Sequence, residues 1–192
     1  MKLLIPLFIF VFTSCDQPVE QEVIQATDST ITNDTSIIVA TEPEQPQQVN
    51  YTTGTVINTG TTLPPDLVNF AKTLIGVPYL YGSSIPQNGF DCSGFITYVF
   101  NHFNIAVPRS SVDFTNVQHE VTLEQAAPGD LILFTGTDSM VRVVGHMGIV
   151  TENNMGNLQF IHSTSGKQYG VTITPLEKYY MGRFVKVIRV FK

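Results

Sequence analysis

Three side chains in this sequence combine reactive chemistry with an unusual setting: Cys92, His146 and His162. Cys92 lies between Phe90-Asp91 and Ser93-Gly94, where a loop rich in Gly, Pro, Ser and Asn gives way to a helical pattern. Phe95, Tyr98, Val99 and His102 fall at i, i+3, i+4 and i+7, one face of a 3.6-residue period. Asp91 stands at the N-cap position of that helix. A thiol in the first turn faces unpaired N–H groups and the positive end of the macrodipole. These favour its anion, so Cys92 is expected to titrate low and act as a nucleophile. The same N–H groups can donate to an oxyanion formed when sulfur attacks a carbonyl. The plain alternative is a cysteine buried as a small hydrophobe.

His146 interrupts the apolar run Val143–Thr151 beside Gly145 and Gly148, and His162 closes the run Leu158–Ser163. A single histidine in a strand is usually an ordinary hydrogen-bonded residue. Two on neighbouring strands, in a chain with one candidate thiol, can supply a base and a group that orients it. His102, on the apolar face of the Cys92 helix, and His119 read as structural. Zinc sites draw on ligand pairs about two to five residues apart, and nothing here has that spacing, so no metal is expected. Gly82 to Gly89 carries no phosphate-binding fingerprint, so no cofactor is expected either.

The elements that must position these groups follow from pattern. Leu63-Pro64-Pro65-Asp66 opens a first helix whose apolar stripe is Leu67, Phe70, Ala71, Leu74 and Ile75, with Gly76 ending it. The Cys92 helix runs to about Asn104, and Ser110 or Ser111 caps a short helix to Gln118. Strands are expected at Asp130–Thr135, Val143–Thr151, Leu158–Ser163, Gly170–Thr174 and Arg183–Phe191, with a short helix over Leu176–Met181. Turn residues around 153–157 make the second and third strands a hairpin. Helices followed by a run of antiparallel strands define an α+β domain over 63–192.

Ahead of that domain the composition changes. Met1-Lys2, an uncharged Leu3–Phe12 and Thr13-Ser14-Cys15 read as a signal segment (1–15), too short to span a bilayer. Cys15 resembles a lipoprotein acceptor cysteine, although Phe12 stands where Leu is usual; a plain signal peptide is the alternative. The chain is therefore expected to be exported and anchored by lipid to an envelope membrane. With only two cysteines, lipidation of Cys15 leaves Cys92 as a lone thiol where structural cysteines normally pair. Residues 16–62 read as a flexible stalk, with seven acids and no Lys or Arg up to Asn50. From Tyr51 onward nine acids balance nine bases, so the domain carries no electrostatic footprint for nucleic acid.

Taken together, these segments resemble the NlpC/P60 family of bacterial cell-wall cysteine peptidases over about residues 64–191. The resemblance is carried by Gly76-Val77-Pro78-Tyr79-Leu80-Tyr81-Gly82, Phe90-Asp91-Cys92-Ser93-Gly94-Phe95, Pro108-Arg109-Ser110-Ser111 and Pro128-Gly129-Asp130-Leu131. It continues in His146-Met147-Gly148-Ile149-Val150, Ile161-His162-Ser163 and Gly182-Arg183-Phe184. The resemblance implies a papain-like core, with a partly barrel-like antiparallel sheet behind the helices. In it Cys92 is the nucleophile, His146 the base paired with the thiolate as imidazolium, and His162 the group orienting His146. Tyr79 would assist the oxyanion, with Tyr81 as the alternative. Peptidoglycan stem peptides are the implied substrate, cut at the γ-D-glutamyl–diamino acid bond by a monomeric enzyme without cofactor. A non-catalytic wall-binding module and an acyltransferase or lipase on the same core remain open alternatives.

Overall fold

The computed structural model describes residues 56–192 except Gln118. The expected signal segment, Cys15 and nearly all of the acidic stalk lie outside these residues.

The first helix, α1 (Pro64–Thr73), starts with proline in its opening turn and buries Leu67, Val68 and Ala71. Ile75, expected on the buried stripe, is exposed, because the helix has already ended. Ile57, expected within the stalk, is 5% exposed and belongs to the core, so packing begins ahead of the boundary expected at residue 63. A short hairpin, β1 (Ser84–Ile85) with β2 (Gly89–Phe90), then leads into α2 (Cys92–His102). Sequence pattern shows only loop at this hairpin, since two-residue strands carry no periodicity. The expected helix after Ser110 is a 3-10 helix, Ser111–Asn116, in which no side chain caps the N-terminus.

The strands are β3 (Glu120–Val121), β4 (Leu131–Thr135), β5 (Val144–Asn154), β6 (Asn157–Thr164), β7 (Gly170–Pro175) and β8 (Phe184–Ile188). They form one sheet in the order β3-β8-β4-β5-β6-β7, antiparallel throughout. The sheet is open, with β3 and β7 as its edges, and not a closed barrel. The β5–β6 turn falls on Met155 and Gly156, both at positive φ (51° and 88°), as a two-residue hairpin needs. Helix α3 (Lys178–Met181) follows β7.

Strand β4 is buried along its whole length, and its side chains alternate between two cores. Leu131 and Leu133 join the cluster built with α1 and α2, which includes Phe95, Ile96, Val99 and Phe100. Ile132 and Phe134 face a second, smaller cluster with Val150, Phe160 and Val187, packed against by Tyr180 of α3. An uninterrupted apolar run is what a strand covered on both faces requires. Two ties then bind the helical layer to the sheet near Cys92. The Ser163 hydroxyl of β6 donates to Phe90 O (2.7 Å), and Gly76 N donates to Val171 O (2.9 Å).

Candidate active site

Asp91 caps α2 as expected, its carboxylate accepting from Gly94 N. It is also held by a partner that local pattern does not reveal. Arg109, from the turn after α2, makes a two-pronged ion pair with it (3.0 and 2.7 Å) and donates to Ser93 Oγ (3.0 Å). The loop–helix junction that carries the thiol is thereby fixed on both sides. Cys92 has no disulfide partner among the described residues, and its Sγ lies 3.9 Å from Gly145 O, beside the backbone of His146.

His146 and His162 come together because of a glycine. They lie on the same face of adjacent strands, and in the β5–β6 register Gly148 faces His162. A Cβ at Gly148 would lie 2.7 Å from the Phe160 ring and 3.2 Å from His162 Cβ. With no side chain there, His146 Nε2 reaches His162 Nδ1 at 2.8 Å. His162 is fully buried, and its Nε2 contacts Thr174 Oγ1 on β7 at 2.9 Å. This chain leaves His146 Nδ1 as the ring nitrogen free for other chemistry. For Nδ1 to be a lone-pair base, Nε2–H must donate to His162 Nδ1. His162 then carries its own proton on Nε2 and donates it to the Thr174 hydroxyl. Pattern could not single out Thr174, because its role depends on β6–β7 pairing.

A cavity of about 790 Å³ opens at this place, lined by Cys92, His146, Tyr79, Thr174, Tyr180 and Arg183 among others. Tyr79 reaches it because residues 78–80 hydrogen-bond to Phe90 and Tyr169. Tyr81, the alternative to Tyr79, is 87% exposed and is not among the lining residues. Burial, with Cys92 and Asp91 nearby, raises the Tyr79 pKa, so its hydroxyl is a donor at neutral pH. His102 instead stacks on Phe70 (ring centroids 3.6 Å apart, 7° between planes), and His119 is exposed.

The electrostatics correct one expectation. Burial, with the Asp91 carboxylate, pushes the Cys92 thiol up to about 11, against the N–H groups of Ser93, Cys92 and Met147, which pull it down. Desolvation outweighs the helix terminus. Burial, with His162 and Arg183, holds His146 well below the usual imidazole range; burial and Arg183 bring His162 down to about 3. Both shifts run towards a neutral thiol beside a neutral imidazole, against the expected ion pair. Alkylation by iodoacetamide should consequently climb about tenfold per pH unit between pH 7 and 10. A rate already level from pH 6 upward would contradict this.

The same depressed histidines make folding acid-sensitive. The unfolded chain takes up protons at both rings near pH 6.5, while the folded chain resists until far lower. Stability is thus fully present above about 6.5 and declines as pH falls, with His162 contributing about 1.4 kcal/mol per unit towards about 3 and His146 acting in the same direction. Urea titrations should show a loss of at least about 2 kcal/mol between pH 7 and pH 5, the share that His162 supplies alone. In His162→Asn that difference should be smaller.

Comparison with known proteins fits this geometry. The NlpC/P60 family model matches residues 76–190, and the chain belongs to that family. It is 36% identical over 126 residues to the gamma-DL-glutamyl hydrolase of Bacillus subtilis, and 34% identical over 94 residues to the bifunctional muramidase/DL-endopeptidase CwlT of the same organism. These alignments cover 65% and 49% of this chain but only 29% and 27% of those proteins. The chain thus spans less than a third of the length of these two relatives. The crystal structure of an NlpC/P60 family protein from Bacillus cereus superposes with a TM-score of 0.60 at 28% identity, covering 69% of this chain and 42% of that one.

Proposed function

We propose that the domain is a cysteine endopeptidase acting on peptidoglycan stem peptides, with the γ-D-glutamyl–diamino acid amide as the bond cut. The observation that carries this is the hydrogen-bonded series His146–His162–Thr174, with His146 following the residue whose carbonyl contacts a thiol at a helix N-terminus, on the wall of a cavity. Similarity to proteins named gamma-DL-glutamyl hydrolase and DL-endopeptidase supports the choice of bond.

In this reading the thiol proton passes to His146 Nδ1 as sulfur closes on the amide carbon. The developing oxyanion is met by the Cys92 N–H and the Tyr79 hydroxyl. Collapse breaks the C–N bond, and His146 returns the proton to the departing amine. A water deprotonated by His146 then attacks the thioester, releasing the acid and restoring the thiol. Because thiol and imidazole start neutral, proton transfer accompanies attack. His162 holds the His146 ring in the tautomer that leaves Nδ1 free, and His146 needs no metal to act as base. We read the N-terminal segment as an export signal with Cys15 as lipid acceptor, which would place a monomeric domain at an envelope membrane facing the wall.

The test is incubation of the protein with defined stem tri- and tetrapeptides, with products read by mass spectrometry. Hydrolysis after the γ-linked glutamate, abolished by prior iodoacetamide treatment, is the expected result. Intact peptides with a verified free thiol would refute the peptidase. Acyl release from a phospholipid would then favour the acyltransferase or lipase alternative.

A further inference from the structure

The cavity around Cys92 has a one-signed lining. Among the described residues its walls include Lys167 and Arg183 but no aspartate or glutamate. Composition does not explain this, since from Tyr51 onward the chain has equal numbers of acids and bases. Lys167 is exposed on the β6–β7 loop, whereas Arg183 is 7% exposed.

Arg183 is an unusual buried cation. The ion pairs among the described residues are Arg109–Asp91, Lys186–Glu120 and Arg189–Asp130, and they leave it out. Its guanidinium donates to Thr135 O (2.8 Å) and to the Tyr179 hydroxyl (2.9 Å), both uncharged. The rings of Tyr179 and Tyr180 lie 5.2 and 5.6 Å from its centre, and its buried Nε has no hydrogen-bond partner among the described residues. Withdrawing a guanidinium from water without a carboxylate carries a large desolvation penalty, which neutral dipoles and ring faces offset only in part. Its field reaches the reacting groups, because it helps depress both His146 and His162. A cation buried on the wall of the cavity that holds Cys92, with no carboxylate partner among the described residues, is a ready counter-charge for an anion.

We propose that Arg183 and Lys167 form a carboxylate-recognition site, so that the protein selects peptides bearing a free carboxylate next to the scissile amide over their amidated counterparts. This deepens the peptidase reading and rests on it. A γ-linked glutamate offers such a group, because its α-carboxyl stays free beside the bond; the carboxyl of the residue beyond the bond is the other source. Either would complete the charge balance of the cavity on binding, and an amide would leave Arg183 unpaired. The oxyanion donors and the general base are separate groups, so recognition here acts on affinity before it acts on chemistry.

The experiment measures calorimetric binding to Cys92→Ala protein, which needs no catalysis. The probes are a γ-D-glutamyl tripeptide, the same peptide amidated at the glutamate α-carboxyl, and a third amidated at the carboxyl of the residue beyond the bond. One amidation should weaken binding about 10-fold and the other little, which identifies the source. Adding Lys167→Gln, at an exposed position that the fold does not depend on, should shrink that preference to about threefold or less. Adding Arg183→Lys, which keeps the charge but changes its geometry, should also reduce it. Equal affinity for all three peptides, a preference unaltered by Lys167→Gln, or no binding at millimolar concentration would overturn the proposal. A peptide bound with the expected preference yet left intact by the parent protein would instead refute the peptidase reading and leave the carboxylate site standing.

Discussion

Cys92→Ala is expected to lower kcat/KM on a stem peptide by about 10⁴-fold or more while leaving the fold as stable as the parent. Cys92 lies on the wall of an existing cavity, so losing its sulfur opens little new space in the core. His146→Ala should approach the same loss, because a thiol pushed up to about 11 is almost wholly protonated at neutral pH. Without a base, only a trace of thiolate remains to react. The double variant should then be scarcely worse than either single one, as for residues that act as one unit. His162→Ala should cost less, about 10- to 100-fold, since it touches no reacting atom and only sets the His146 tautomer. Thr174→Val tests the next link. It should lower kcat more than raise KM, and Thr174→Ser should restore activity by returning the acceptor hydroxyl. Stopped assays on parent, singles and double suffice. Multiplicative losses from Cys92 and His146 would mean that the two do not share a proton.

The parts of this site that local chemistry determines are legible in the amino-acid sequence itself. Asp91 caps its helix because a short carboxylate three residues before a free N–H needs no help from elsewhere. The strands around His146 and His162 follow from β-branched runs and turn residues. What escapes is whatever depends on residues distant in the chain. Arg109 lies 18 positions from the carboxylate it pairs with, and Arg183 lies 48 positions from the Thr135 carbonyl it binds. Thr174 matters only through the register of β7 on β6. The thiol's acidity is misread from sequence for the same reason: the helix terminus is local, but the burial that outweighs it is tertiary. The short β1–β2 hairpin is invisible for want of length, and Ile57 is hidden in a polar stretch whose average masks a single buried side chain.

A single methyl group should separate local from tertiary reasoning most sharply. By helix propensity, Gly94→Ala in the first turn of α2 ought to stabilise the protein by about 1 kcal/mol. Its backbone is not at positive φ, so no conformational strain opposes alanine there. Space does. The added Cβ would lie 2.1 Å from Ser83 O and 2.9 Å from Asp91 Oδ1, where ordinary contacts begin at 3.4 Å. Ser83 O cannot simply retreat, because it accepts the hydrogen bond from Asp91 N (3.0 Å) that holds the loop to the helix start. Overpacking of this kind costs about 1–3 kcal/mol, enough to reverse the propensity gain. The displaced loop also carries Tyr79, and misplacing a reacting group by about 1 Å can cost about 100-fold in rate. Gly94→Ala is therefore expected to lose about 2 kcal/mol in urea denaturation and about 100-fold in kcat/KM. A variant as stable and active as the parent would show that the loop yields freely, and that the close approach of Ser83 to the helix is not what positions Tyr79 against the thiol.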